Sequence, residues 1–144
     1  INLLEHLEET LNWSNRNNVA VVGDYLPPDE TISRMLDRQC NINLSSVFYL
    51  NEPFSNKIIS KVPQFHFIEF PDISQQLKIK QVFFSVPEDY AQQILEILVS
   101  SGVNGIINLT SFLPDIPENI KVINIDFLAE FEKIAYFGNF SNPA

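Results

Sequence analysis

Short apolar runs, each too brief to form a helix and separated by longer amphipathic stretches, constrain this chain more than any other feature. They are Asn18-Val19-Ala20-Val21-Val22-Gly23, Val47-Phe48-Tyr49-Leu50, Gln81-Val82-Phe83-Phe84-Ser85-Val86, Gly105-Ile106-Ile107-Asn108-Leu109 and Val122-Ile123-Asn124-Ile125. A strand without polar alternation is buried on both faces, as happens where helices cover a sheet from two sides. The spacing between runs predicts those helices. Leu3, Leu4, Leu7 and Leu11 share one side of residues 3–13, and Ile32, Met35 and Leu36 share one side of residues 29–38, after the break at Pro27-Pro28. Pro87 opens a third helix with the stripe Tyr90, Ala91, Ile94, Leu95, Leu98 and Val99, stopped by Gly102, and a last one covers 127–137. Residues 65–70 alternate as a peripheral strand, and Asp72 is placed to cap a short helix through Leu77. The polar stretch with Pro53, Asn56 and Lys57 receives no helix. Strands joined through helices pair in parallel by right-handed crossovers, so the fold class is α/β, a parallel sheet with helices on both faces.

A chain of 144 residues is the length of one domain, about 100–200 residues, and no repeat divides it. Hydrophobic residues at 45% and charged residues at 19% exclude a disordered chain. Nine Lys+Arg against eighteen Asp+Glu leave a net charge of −9, which repels a phosphate backbone, so this segment is a poor DNA-binding surface. The single cysteine, Cys40, excludes an internal disulfide framework and a cysteine metal cluster and suits a reducing compartment. With no activating His or Asp beside it, Cys40 reads as structural. His6 and His66 lack metal-ligand spacing, and Trp13 reads as packing at the base of the first helix. No apolar run approaches the ~20 residues of a membrane span and no leader opens the chain, so a cytoplasmic location without a membrane partner is expected. No residues have the spacing of an acid/base pair or an activated nucleophile, hence no catalytic residues, no metal and no enzyme are expected.

Four stretches resemble the C-terminal Rossmann domain of the Rex family, redox-sensing transcriptional repressors of bacteria. In VFFSVPEDYAQQILEILVSSGVNGIINL they are Val86, Pro87, Ala91, Gln92, Gly102, Gly105, Ile106 and Asn108; in PENIKVINID and the following helix, Pro117, Glu118, Asp126, Glu130, Ala135, Tyr136 and Phe137. NVAVVG is similar to the family's first Rossmann strand, and Ile1-Asn2-Leu3-Leu4 to its junction with a winged-helix DNA-binding domain. The resemblance is strongest from Gln81 onward and weakest over residues 24–70. It implies a Rossmann-like sheet in a homodimer that senses NADH against NAD and reorients winged helices on an operator. It further implies that the C-terminal helix is swapped between protomers, with Phe127, Leu128, Phe131, Ile134, Tyr136 and Phe137 facing the partner. Asp126 would tie that helix to the redox state, or simply cap it. The chain then reads as one ligand-sensing and dimerisation domain over residues 1–144, with the DNA-binding domain upstream; a start at Ile1 rather than Met fits this.

The nucleotide loop departs from that pattern. GxGxxG needs its first glycine for the tight turn, its second for close approach to pyrophosphate and its third for helix–strand packing. Here the loop is Gly23-Asp24-Tyr25-Leu26-Pro27-Pro28, which keeps only the first. Tyr25 stands where a side chain crowds phosphates, the prolines have no N–H to give, and Asp24, Asp29 and Glu30 bring negative charge to an anion site. At the end of the second strand, Tyr49 takes the place of the family's ribose-binding Asp. Each unmade polar contact costs about 1–3 kcal/mol, and micromolar binding is worth only about 8 kcal/mol, so NAD(H) binding is expected to be weak or lost. Candidate cofactor contacts are Gly23, Tyr25, Tyr49, Val86, Pro87 and Asn108; Pro87 could equally be an ordinary helix-opening proline, and Asn108 a turn residue. The alternative function is a CoA- or nucleotide-binding Rossmann domain of a metabolic enzyme, whether an acyl-CoA synthetase or an NAD-dependent oxidoreductase.

Overall fold

The computed structural model describes residues 17–112 and 114–141; the helix expected over 3–13, with His6 and Trp13, lies outside them. Six parallel strands form one sheet in the order β3-β2-β1-β4-β5-β6. They are β1 (Asn17–Gly23), β2 (Ile42–Tyr49), β3 (Gln64–His66), β4 (Gln81–Ser85), β5 (Gly105–Asn108) and β6 (Lys121–Asn124). The helices are α1 (Asp29–Met35), α2 (Phe70–Leu77), α3 (Glu88–Ser100) and α4 (Phe127–Ser141), with 3-10 turns at Ile58–Lys61 and Phe67–Glu69. Strand order reverses at β1, where the chain steps out to β2 and β3 and then returns to β4 on the other side.

Two apolar layers hold the sheet. On one face Ala20, Val22, Phe48, Val82, Phe84 and Ile106 pack with Phe70 of α2 and Ala91, Leu95 and Leu98 of α3. Phe70 sits edge-on to Phe48, with ring centroids 4.8 Å apart and planes at 70°. On the other face Val21, Leu44 and Val47 pack with Ile32 of α1 and with Ile59 and Val62. This two-sided cover is the reason the strands read as unbroken apolar runs.

Several boundaries differ from the sequence reading, each for a local reason. The expected strand over 65–70 stops at His66, because the His66 Nδ1 accepts the Ile68 N–H at 3.1 Å and turns the backbone. Phe67 and Phe70, a 3-10 turn apart rather than alternate strand residues, then both point inward while Ile68 is exposed. With Pro71 in its first turn, α2 already begins at Phe70, so Asp72 lies inside that turn and does not cap it. β2 starts five residues before the apolar run at Val47, since small Ser45 and Ser46 allow a bulge where the pairing shifts between Val19 and Ala20. α1 ends at Met35 rather than residue 38. In α3 the stripe holds for Ala91, Ile94, Leu95 and Leu98, whereas Tyr90 is exposed.

Candidate functional site

Open α/β sheets present ligands with a crevice at the carboxyl ends of the strands where strand order reverses. Here that place lies between the ends of β1 and β4. Gly23 pairs with Ser85 and Val22 with Phe48, so Gly23, Tyr49 and Ser85 lie at one level across the sheet edge. Gly23 has φ +130°, and a Cβ there would come within 2.2 Å of the Ser85 carbonyl oxygen. The turn after β1 therefore needs a glycine for its own packing, before any ligand is considered.

Ser85 consumes the loop's donors. The Asp24 N–H donates to the Ser85 carbonyl at 2.9 Å, and the Tyr25 N–H donates to Ser85 Oγ at 3.1 Å. The Ser85 hydroxyl in turn donates to the Tyr25 carbonyl at 3.1 Å. Pro27 and Pro28 have no N–H, so four of residues 24–28 have no donor to offer a phosphate from this conformation. Pro28 precedes α1, whose first turn carries Asp29 and Glu30; Asp29 Oδ1 accepts from Asn56 Nδ2 at 2.9 Å. Three carboxylates thus gather between residues 24 and 30, opposite to what an anionic ligand requires. Ser85→Ala should cost about 1–2 kcal/mol, read from the midpoint of urea unfolding, because both backbone groups of Tyr25 lose their partner.

The other expected contacts are distributed unevenly around this crevice. The Tyr25 side chain is exposed and does not fill it. Tyr49 is half-buried, edge-on to His66 with centroids 5.6 Å apart. Val86 is buried, and Pro87 sits just before α3, where its carbonyl accepts the Tyr90 N–H at 3.0 Å. Asn108 is fully buried. Its Nδ2 donates to the Phe112 carbonyl at 2.8 Å and to Asn124 Oδ1 at 2.9 Å, while its Oδ1 accepts the Thr110 N–H at 3.0 Å and hydroxyl at 2.6 Å. An amide offers two donors and two acceptor positions, and all four are used, so Asn108 shapes the turn after β5.

Asp126 caps α4, with Oδ1 accepting the Ala129 N–H at 3.2 Å and its carbonyl accepting the Glu130 N–H at 3.0 Å. Phe127, Leu128, Phe131, Ile134, Tyr136 and Phe137 lie apart from the crevice along α4, each 62–72% exposed. Sequence reading overlooked Ser85, Asn124 and Asn56. A hydroxyl closing an otherwise apolar strand was the available signal for Ser85; the other two are recognisable only through their partners. Among the described residues no group of His, Cys, Asp or Glu is arranged to hold a metal ion, and no helix is long and apolar enough to cross a membrane.

Comparison with known proteins gives a consistent result. No protein-family model matches the chain. It is 33% identical over 140 residues to the redox-sensing transcriptional repressor Rex of Ligilactobacillus salivarius and 30% identical over 139 residues to that of Lactobacillus acidophilus. The matches cover 95% and 94% of this chain but 64% of each relative, so the chain spans just under two thirds of their length. Among solved structures, that of RSP in complex with β-NAD+ and operator DNA aligns with a TM-score of 0.74 at 21% identity, over 96% of this chain and 64% of that one. That likeness concerns the fold.

Proposed function

Because the chain belongs to the Rex family of redox-sensing transcriptional repressors, we propose that it is the ligand-sensing and dimerisation domain of such a regulator, with its NAD(H) site weakened or lost. The full regulator would act as a homodimer in the cytoplasm and contact DNA through a winged helix outside this sequence, in keeping with the net charge of −9 on this part. Asp126 would set the direction in which α4 leaves the sheet toward the partner. Residual nucleotide contact would fall to Gly23, Tyr25, Tyr49, Val86 and Pro87. A role without catalysis accords with relatives that are repressors.

One observation carries the coenzyme half of this reading: the Asp24 and Tyr25 amides, which a pyrophosphate would need, are bonded to Ser85. Binding would have to break those bonds and bring a diphosphate against Asp24, Asp29 and Glu30. Thermal unfolding tests this. A ligand at a thousand times its dissociation constant stabilises the folded state by about 4 kcal/mol, which for a domain of this size raises the melting temperature by roughly 10 °C. With about 1 mM NADH the melting temperature should move by less than roughly 4 °C, the shift for a dissociation constant of about 100 μM; a rise near 10 °C would contradict the reading.

A further inference from the structure

The crossovers leave half of one sheet face open. α1 and the 58–61 turn cover β1 and β2 on one side, and α2 and α3 cover the central strands on the other. Over β4, β5 and β6 the first side carries no covering helix among the described residues. Phe83, Ile107 and Ile123 line a groove there of about 1000 Å³, together with Val19 and Val21 of β1. Ile107 and Ile123 are 40% and 49% exposed, although parallel strands are ordinarily covered on both faces. A cavity of this size with a mainly apolar wall suits a small molecule, provided that a few polar groups orient it.

Two cations supply that orientation. Arg34, in the last turn of α1, and Lys121, the first residue of β6, stand at opposite borders of the groove. Neither makes an ion pair among the described residues, where the pair seen is Lys133 with Glu130. On a chain of net charge −9, cations left without a carboxylate at the rim of an apolar groove point to a ligand with an anionic group. From β1 to β6 the sheet makes three strand spacings, about 14 Å in all, which an extended chain of roughly twelve carbons spans.

We infer that this groove is a binding site for a single-chain amphiphile with an anionic head, the class of the free fatty carboxylates. The tail lies over Phe83, Ile107 and Ile123, and the carboxylate oxygens accept hydrogen bonds from the rim cations. Each methylene withdrawn from water favours binding, so affinity grows with chain length until the groove is filled. The site lies on the sheet face, not at the strand ends where the nucleotide crevice opens. Its occupancy does not depend on the regulator reading above.

Calorimetric titration of the complete chain with dodecanoate, below its micelle-forming concentration, tests this. A single saturable site with a dissociation constant near about 10 μM is expected, in keeping with a ligand of about fourteen non-hydrogen atoms, and octanoate should bind at least about 30-fold more weakly. Arg34 and Lys121 are exposed, so a joint Arg34→Gln, Lys121→Gln substitution should leave circular dichroism unchanged while weakening dodecanoate at least about tenfold. Dodecylammonium should bind the native chain no better than dodecanoate binds that variant. Ile123→Asp should abolish saturation, whereas Tyr90→Ala, on the exposed side of α3, should leave the constant unchanged. Cys40 lines the groove, so saturating dodecanoate should also slow its alkylation by N-ethylmaleimide at least about fivefold. No saturable heat up to about 1 mM would overturn the site, whether residues 1–16, a second copy of the chain or nothing at all fills the groove. Equal binding of dodecanoate and dodecylammonium, or binding that survives Ile123→Asp, would overturn it as well.

Discussion

Gly23→Ala should cost the domain about 3–5 kcal/mol, a large part of the roughly 5–15 kcal/mol that holds a domain of this kind together. Two independent terms add. The backbone at φ +130° is a conformation that L side chains rarely adopt, and the added methyl would lie 2.2 Å from the Ser85 carbonyl oxygen and 2.5 Å from its carbon. Gly23 and Ser85 face each other across two paired central strands, so relief requires parting β1 from β4 at the crevice. Urea unfolding followed by circular dichroism should show a midpoint lowered in proportion, or a protein already unfolded at 37 °C. This outcome changes what the surviving glycine means. Its retention follows from the packing of β1 on β4 and is no sign that a dinucleotide still binds.

Asn108→Leu should destabilise by about 2–4 kcal/mol although leucine has the same branched outline. The amide closes the turn after β5 and ties it to β6 through Asn124. Without it, the Phe112 carbonyl, the Thr110 amide and the Asn124 amide lose a partner together, and the part-buried turn gives water limited access to them. Asn108→Asp should be no better. It keeps the acceptor for Thr110 but sets a carboxylate against two oxygens, those of Phe112 and Asn124. Calorimetric melting of both variants checks the order. A residue whose main task was to touch a ligand would instead leave melting unchanged.

The strands were legible because helices cover both faces of this sheet, which removes the polar alternation that makes other strands ambiguous. Val21-Val22 and Val47-Phe48, buried on both faces, announce themselves for that reason, whereas Ile106-Ile107 reads as a strand although Ile107 is 40% exposed. Residues 65–70 misled because phenylalanines two and three apart fit a strand and a turn equally, and only the bond from Ile68 to His66 decides between them. Asn108 and Asp126 were each readable in two ways from sequence. Asp126 bonds three residues on, a capping pattern sequence can suggest, and Asn108 bonds to Thr110 and Phe112 nearby but also to Asn124 sixteen residues away; no local pattern reports that contact between β5 and β6. The loss of the loop glycines was plain from composition alone. That Ser85 takes the loop's amides was not, since it depends on β1 and β4 being neighbours although 60 residues of sequence separate Tyr25 from Ser85.

The claim that the nucleotide crevice has lost its phosphate-binding function is tested most directly by calorimetric titration of the complete chain with NADH. The account predicts no saturable heat, or a dissociation constant weaker than about 100 μM, equivalent to under roughly 5.5 kcal/mol of binding. A single-site isotherm with a submicromolar constant would contradict it: the Asp24 and Tyr25 amides would then have to leave Ser85 for the coenzyme.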